Sequence, residues 1–208
     1  MTFEGTEGSG KSTQCQLLAA SLNSLGRRAV VTYEPGGTSL GNSIRQLVLE
    51  PDAARQVGAR AEALLFAAAR AQLVDDVIRP AIERGDDVIC DRYIDSTVAY
   101  QRGGRGLPAD DVWNLIDFAT DGLKPDLTFL LDLEATTGLA RKRGAGPDRL
   151  ENEDKTFHDR VRASYLEQAR ADPGRIVTLD ATRSREDLAT AILRRVLECL
   201  EVRRATRR

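Results

Sequence analysis

The chain has 208 residues, of which 41% are apolar, so it is long enough to bury one substantial core over residues 1–208. Its 30 basic and 32 acidic residues leave a formal net charge of −2, which excludes a strong global attraction to nucleic acid or to a membrane surface. The longest apolar run, residues 63–69, is too short to span a bilayer, and no secretory leader is evident. The three cysteines lack metal-binding spacing. We therefore expect a single-domain cytoplasmic protein.

Five short runs of β-prone residues alternate with helical stretches along the chain. Strands separated by helices pair in parallel, and nearly continuous apolar interiors such as Phe129-Leu130-Leu131 are typical of strands that are covered on both faces. The pattern therefore predicts an α/β three-layer sandwich, with helices on both faces of a five-stranded parallel sheet formed by residues 1–4, 29–33, 87–91, 127–132 and 175–179.

The segment directly after the first predicted strand carries the most specific motif in the chain. Residues 5–12, GTEGSGKS, fit the phosphate-binding pattern G-x-x-x-x-G-K-S/T at every fixed position. The glycines let successive backbone N–H groups turn towards phosphate oxygens, and the N-terminus of the following helix adds positive charge. Lys11 would contact the β- and γ-phosphates of a nucleoside triphosphate, and the Ser12 hydroxyl would ligate the Mg²⁺ that bridges them.

A long helix is predicted from about residue 58 to residue 84, and a second one near the C-terminus. Apolar residues at the 3.6-residue period form one face of the first helix, and that face serves either the core or an interface between subunits. The face consists of Leu64, Ala68, Val74, Ile78 and Ile82.

Asp91 and Arg92 stand at the carboxyl end of the third predicted strand, where parallel α/β sheets bind their ligands. An aspartate at this position can orient Mg²⁺ or its water ligands, and an arginine beside it can hold a second, accepting phosphate. The alternative is an exposed acid–base pair at the end of a strand.

The chain lacks the N-K-x-D and D-x-x-G motifs of GTPase switches, which leaves a kinase or a regulatory protein that hydrolyses ATP slowly.

Two glycine-containing segments are predicted to be loops at the rim of the site. Residues 101–108 contain three glycines and a proline. Residues 141–149 contain four positively charged side chains flanked by glycines, which predicts a small mobile lid over residues 141–152. A solvated basic loop is the alternative interpretation of the second segment.

Taken in chain order, these segments resemble the thymidylate kinases, which phosphorylate dTMP to dTDP. The resemblance rests on residues 3–13, 34–38, 70, 91–93, 96–101, 104–107 and 148–151. It implies the P-loop NTPase fold, direct in-line transfer from MgATP to dTMP on the way to dTTP, and a homodimer. A kinase for another nucleoside monophosphate remains the alternative. The implied ATP-binding loop comprises Gly5, Thr6, Glu7, Gly8, Ser9, Gly10, Lys11, Ser12 and Thr13, with Ser12 and Asp91 at the Mg²⁺.

The resemblance also assigns side chains to the acceptor nucleotide. Arg92 and Arg70 resemble the clamp on the dTMP phosphate, and a guanidinium fork suits bidentate phosphate binding better than a lysine does. Glu34 would lie near the sugar and phosphate, and Arg45 over the edge of the base. Phe66 resembles the ring on which thymine stacks, with plain core packing as the alternative.

The resemblance also implies that the segment after Tyr93 forms the wall that recognises the base. Thr97 and Gln101 are one turn apart if this segment is helical, so both side chains can face the pocket. In the family this segment reads the base edge and crowds out a ribose 2′-hydroxyl, and Tyr100 would contribute to the same wall.

The resemblance places the catalytic arginine in the lid. Some family members carry an arginine inside the phosphate loop, where this chain has Glu7, whereas the bacterial variant supplies it from the lid. Arg141 is expected to lie along the adenine. The predicted catalytic residues are therefore Lys11, Asp91, Arg92, Arg143 and Arg149.

Overall fold

The computed structural model describes residues 1–50, 57–141 and 148–206 of the chain. The strands are β1 (Thr2–Glu4), β2 (Ala29–Tyr33), β3 (Asp87–Asp91), β4 (Thr128–Asp132) and β5 (Ile176–Asp180). The helices are α1 (Lys11–Ser24), α2 (Ser39–Leu49), α3 (Ala59–Leu73), α4 (Arg79–Glu83), α5 (Ile94–Thr97), α6 (Ala109–Thr120), α7 (Ala135–Arg141), α8 (Lys155–Ala171) and α9 (Arg185–Thr206). Two π-helical segments, Val74–Ile78 and Val98–Gly104, continue α3 and α5.

The five strands form one parallel sheet in the order β2-β3-β1-β4-β5. The predicted strands are confirmed, each to within one residue at either end. Strand β1 lies at the centre, where Phe3 pairs with Asp91 on β3 and with Phe129 on β4. This order brings the carboxyl ends of β1, β3 and β4 to one edge of the sheet, the position at which open α/β sheets bind ligands.

Helices cover both faces of the sheet, as the buried strands require. On one face Phe3, Phe129 and Leu131 pack against α1 and α9. On the other face Val88 and Cys90 pack against helices α3 to α6, because successive side chains of a strand point to opposite faces. No helix within the described residues is long and apolar enough to cross a membrane.

The predicted helix over residues 58–84 exists, but only part of its predicted apolar face is buried in the core. Helix α3, the first π-helical segment and α4 form one continuous helical path. Val74 and Ile78 are buried as expected, whereas Leu64 is 60% exposed, Ile82 is 47% exposed and Ala68 is exposed as well. The buried side of α3 also carries Glu62 and Arg70, which form ion pairs, and the exposed apolar residues leave the interface interpretation open.

The predicted loop at residues 101–108 is also partly wrong, because its first four residues belong to the second π-helical segment. The glycines there permit close packing against α8. A Cβ atom at Gly103 would lie 2.6 Å from Cβ of Ser164, and one at Gly104 would lie 2.5 Å from the Phe157 ring. These glycines are required by helix packing, which sequence alone does not distinguish from a glycine-rich loop.

The predicted lid is described only at its two flanks. Helix α7 ends at Arg141, and residues 142–147, which include Arg143, lie outside the described residues. On the far side the Asp148 carboxylate accepts hydrogen bonds from the backbone N–H groups of Leu150 and Glu151, at 2.9 Å each. The mobility of the lid stays a prediction.

Helix α7, which leads into the predicted lid, rests directly on the phosphate-binding loop. A Cβ atom at Gly138 would overlap the carbonyl oxygen of Glu7, and one at Gly8 would overlap the carbonyl oxygen of Gly138. The Thr6 hydroxyl adds a hydrogen bond of 3.0 Å to the carbonyl oxygen of Leu133. The absence of two side chains therefore sets how closely the helix approaches the loop.

We expect Gly138→Ala to destabilise the protein by about 1–3 kcal/mol, because the added methyl group displaces backbone on one side of the contact. Gly174→Ala is the matched control, since a Cβ atom there meets nothing within 4 Å. Urea unfolding monitored by circular dichroism measures both variants. A Gly138→Ala variant as stable as the control would contradict the close contact.

Candidate active site

A cavity of about 580 Å³ opens at the carboxyl edge of the sheet. It brings together most of the residues that the sequence predicted for the site. Those that line it are Glu7, Gly8, Lys11, Ser12, Glu34, Arg45, Phe66, Arg70, Asp91, Arg92, Thr97, Tyr100 and Gln101. Gly5, Thr6, Ser9, Gly10, Thr13, Arg141 and Arg149 do not line it.

The phosphate-binding loop has the positive-φ turns that its glycines predicted. Gly5, Gly8 and Gly10 have φ angles of 135°, 68° and 94°, which residues with a Cβ atom rarely adopt. The Lys11 ammonium is buried and donates hydrogen bonds to the carbonyl oxygens of Gly5, at 3.1 Å, and Thr6, at 2.8 Å. Burial, together with the charge of Arg92, lowers the pKa of Lys11 to about 8. A polyphosphate bound here would oppose both effects and would favour the charged ammonium.

Ser12 and Asp91 form a paired set of oxygen donors beside the loop. The Ser12 hydroxyl donates a short hydrogen bond to the Asp91 carboxylate, and both residues line the cavity. Hard oxygen donors of this kind suit Mg²⁺. The described residues contain no group of three or more His, Cys, Asp or Glu side chains that could hold a metal ion by themselves. The donor set therefore fits an ion that takes its remaining ligands from nucleotide phosphates and water.

Arg92 links the phosphate-binding loop to the opposite wall of the cavity. Its backbone has a φ of 71°, an uncommon conformation for a residue with a Cβ atom. The Nη1 group donates to the carbonyl oxygen of Gly5 at 3.0 Å, and Nη2 donates to Glu7 Oε1 at 2.7 Å. The guanidinium lies 5.3 Å from the centre of the Tyr100 ring, and the Tyr100 hydroxyl donates to the same Glu7 oxygen at 2.6 Å. Burial acts to raise the pKa of Glu7, but Arg92 and Lys11 outweigh it, so the carboxylate stays ionised.

Three residues behind Arg92 were not among the predicted site residues. Arg92 Nη1 also donates to the Tyr165 hydroxyl at 3.1 Å and to the Ser96 hydroxyl at 3.3 Å. Ser96 and Tyr165 in turn donate to the fully buried Glu4 carboxylate, at 2.6 and 3.1 Å. Burial raises the pKa of Glu4 to about 8. An acidic residue in a central buried strand was the signal for this network, since a buried polar group needs partners.

Arg70 and Glu34 form a buried ion pair that changes the role expected for Arg70. Arg70 donates through Nε at 2.8 Å and through Nη2 to the Glu34 carboxylate, while Nη2 also donates to the Tyr93 carbonyl at 2.9 Å. Nη1 donates to the Thr97 hydroxyl at 2.6 Å. These bonds use four of the five N–H groups of the guanidinium. As long as the pair stands, Arg70 offers the cavity a single donor and no bidentate fork for a phosphate.

Arg45 has the donors that Arg70 lacks. It is exposed, lies 5.7 Å from the centre of the Tyr33 ring, and donates one hydrogen bond of 3.0 Å, from Nη1 to the Pro35 carbonyl. The rest of its guanidinium binds no other residue in the described part of the chain. Of the two arginines, Arg45 is the one whose geometry suits an acceptor phosphate.

The wall expected to recognise the base is helical, although it has a π-helical rather than an α-helical pitch. Thr97 ends α5, and Tyr100 and Gln101 lie in the second π-helical segment, with all three side chains on the cavity. Phe66 also lines the cavity and packs against two clusters of the core, so both interpretations of this residue find support.

Neither described arginine of the predicted lid, Arg141 or Arg149, lines the cavity. Arg149 donates through Nη2 to the Glu62 carboxylate and through Nε to the Val48 carbonyl, at 2.7 Å for the latter. Arg141 donates to the Ala181 carbonyl at 2.9 Å. A catalytic role for a lid arginine stays a prediction.

Glu62 was not predicted, although its spacing of four and eight residues from Phe66 and Arg70 places all three on one helix face.

Comparison with known proteins agrees with this geometry over nearly the whole chain. The family model described as thymidylate kinase matches residues 3–192. A thymidylate kinase of Deinococcus radiodurans is 49% identical over 199 residues, which cover 95% of this chain and 96% of the relative. One of Thermomicrobium roseum is 51% identical over 203 residues, which cover 97% and 95%.

A solved structure gives the same result at the level of the fold. The crystal structure of thymidylate kinase from Ehrlichia chaffeensis superposes with a TM-score of 0.73 at 33% sequence identity and covers 96% of both chains. The predicted fold, a P-loop NTPase sandwich, is thereby confirmed. The phosphate-loop motif, the fold and these matches lead to one conclusion: the chain belongs to the thymidylate kinase family.

Proposed function

We propose that this protein transfers the γ-phosphate of ATP to dTMP, giving ADP and dTDP for the synthesis of dTTP. The observation that supports the proposal is that Lys11 and Ser12 of the phosphate-binding loop line the same cavity as Arg92. We also propose a cytoplasmic location, which agrees with the use of ATP and with three unpaired cysteines.

The donor nucleotide would bind through its phosphates to the loop and the N-terminus of α1. Lys11 would contact the β- and γ-phosphates. The Ser12 hydroxyl and the Asp91 carboxylate would hold Mg²⁺, which when bound neutralises charge on the phosphate oxygens. Arg141, next to the loop after β5, would lie along the adenine.

The acceptor nucleotide would fill the other half of the cavity. Arg45 and Arg92 would bind its phosphate, because both guanidinium groups line the cavity and keep N–H groups that no described residue binds. Phe66 would stack on the base. Tyr100, which Glu7 holds in place, would stand against the sugar and leave little room for a 2′-hydroxyl.

The transfer itself would need positive charge around the moving phosphoryl group rather than a base. An oxygen of the dTMP phosphate attacks the γ-phosphorus, the bond to the β-phosphate oxygen breaks, and ADP leaves. Because the attacking phosphate is already ionised, no proton has to be removed. Lys11 and Arg92 would supply part of the charge, and Arg143 or Arg149 the rest. Arg149 would first have to leave Glu62.

We expect ADP release in the presence of MgATP to depend strongly on dTMP, because the pocket binds the acceptor before transfer. A coupled assay with dTMP, dUMP, CMP, GMP and AMP at equal concentrations measures this, and dTMP should give the highest kcat/KM. ADP release that ignores every monophosphate would contradict the kinase assignment.

We expect Arg92→Ala to weaken dTMP binding by about 100-fold and ATP binding by much less, because Arg92 would contact the acceptor phosphate directly but reaches the ATP-binding loop only through its bonds to Gly5 and Glu7. Arg102→Ala is the matched control, since among the described residues the Arg102 side chain forms only a 3.5 Å ion pair with Glu167, outside the cavity. Calorimetric titration with each nucleotide separates the two affinities. Loss of ATP binding with dTMP binding intact would overturn this placement of Arg92.

We also propose that the protein is a homodimer that associates through α3 and α6. These helices pack together and expose large apolar side chains: Leu64 is 60% exposed, Trp113 39% and Phe118 86%. Exposed apolar clusters of this kind are typical of interfaces between proteins.

We expect sedimentation equilibrium to give a dimer for the wild-type protein and a monomer for Phe118→Asp, because a buried unpaired carboxylate would oppose association. Leu25→Asp, at a 55% exposed position at the end of α1, is the control and should stay dimeric. A wild-type monomer at tens of micromolar protein, or a dimer unaffected by Phe118→Asp, would contradict the proposed interface.

A further inference from the structure

A buried carboxylate on α3, Glu62, lies directly behind the base-recognition wall. Its side chain is fully buried. Oε1 accepts hydrogen bonds from Gln101 Nε2 at 2.9 Å and from Arg105 Nε at 3.1 Å. Oε2 accepts from Arg105 Nη2 at 3.0 Å and from Arg149 Nη2. Four donors therefore occupy the four acceptor positions that a carboxylate has.

Glu62 remains an ionised acceptor. Burial acts to raise its pKa, but hydrogen bonds from Arg105, Arg149 and Gln101 outweigh burial and bring the pKa below its ordinary value. An ionised carboxylate donates no hydrogen bond. The end of the Gln101 amide that faces it must consequently be the NH₂ group.

The opposite end of the Gln101 amide is the carbonyl oxygen Oε1. Gln101 is buried and lines the cavity, and no residue in the described part of the chain donates a hydrogen bond to Oε1. We propose that Glu62 is a positioning residue that fixes the orientation of the Gln101 amide, so that the cavity presents Oε1 as an acceptor to the base of the bound monophosphate. The inference rests on the proposed function, because it names how that site selects its base.

A fixed acceptor at this position distinguishes between pyrimidine bases. Thymine carries an N–H donor at N3, which Oε1 of Gln101 can accept. Cytosine carries a lone pair at N3, which would face the same oxygen and repel it. A site that leaves a buried polar group unpaired rejects the wrong ligand strongly, so amide orientation alone can discriminate between the two bases.

The two arginines explain why Glu62 can impose this orientation. Arg105 binds Glu62 in a bidentate manner, and its third nitrogen, Nη1, is 2.6 Å from Glu153. Arg149 adds a second charged donor from the flank of the predicted lid. Arg105 alone contacts both oxygens, so the carboxylate keeps its orientation even when Arg149 leaves and cannot rotate to suit a turned amide.

The first experiment uses the wild-type protein. Calorimetric titration with dTMP and with its 3-deaza analogue, which has C–H in place of N3–H, isolates the donor. We expect the analogue to bind at least about tenfold more weakly. Equal affinities would overturn the inference without any variant having to fold. Failure of the wild-type protein to bind dTMP at all would instead overturn the proposed function.

The second experiment compares Glu62→Gln with Glu153→Gln. In Glu62→Gln the one remaining oxygen stays with the charged arginines, so the new NH₂ group faces Gln101 and turns its amide over. We expect the ratio of dCMP to dTMP dissociation constants to fall at least about tenfold in Glu62→Gln. Glu153→Gln, which disturbs the same ion network without touching Gln101, should keep the wild-type ratio.

A double variant separates positioning from general damage to the fold. In a Gln101→Met background, Glu62→Gln should change the ratio of dCMP to dTMP dissociation constants by less than about twofold. The amide that Glu62 orients is absent there, so the two substitutions do not add. An unchanged ratio in Glu62→Gln alone, an equal fall in Glu153→Gln, or an undiminished effect in the Gln101→Met background would each overturn the role of Glu62.

Discussion

The site depends on the hydrogen bonds and the ring contact of the Arg92 guanidinium. It binds the first carbonyl of the phosphate loop, the Glu7 carboxylate of the same loop, and hydroxyls on α5 and α8, and it lies against the Tyr100 ring. Arg92 and Glu7 are 85 residues apart along the chain, so this side chain joins the phosphate loop to the opposite wall of the cavity. Its left-handed backbone conformation is the kind of local strain that surrounding contacts maintain at functional sites.

The same arrangement of a buried carboxylate and an arginine recurs around the cavity. Glu7 pairs with Arg92, Glu34 with Arg70, and Glu62 with Arg105 and Arg149. Buried pairs of this kind contribute little to stability, since desolvation offsets their attraction, but they hold charged groups in defined positions. A chain with a net charge of −2 can thus concentrate positive charge in one cavity, because most of that charge is already balanced by neighbouring acids.

The sequence predicts correctly those parts of the chain whose residue pattern is compatible with only one local structure. The five strands and the phosphate loop follow from apolar runs and from a motif in which every glycine has a geometric reason. The failures share a cause: they concern residues whose partners are distant in sequence. Gly103 and Gly104 pack against α8, and the Glu34 carboxylate that binds Arg70 is 36 residues away along the chain. Glu62 is the exception, because its spacing from Phe66 and Arg70 already placed it on their helix face.

A donor and an acceptor that bind together in one cavity can react directly, with no phosphorylated enzyme between them. The stereochemical course at phosphorus distinguishes this direct transfer from a two-step one. ATP made chiral at the γ-phosphorus with three oxygen isotopes is converted with dTMP, and the configuration of the β-phosphorus in the dTDP product is determined by ³¹P NMR. A single in-line displacement inverts the configuration, which is the result we predict. Retention would reveal two successive displacements through a phosphoenzyme and would contradict the account.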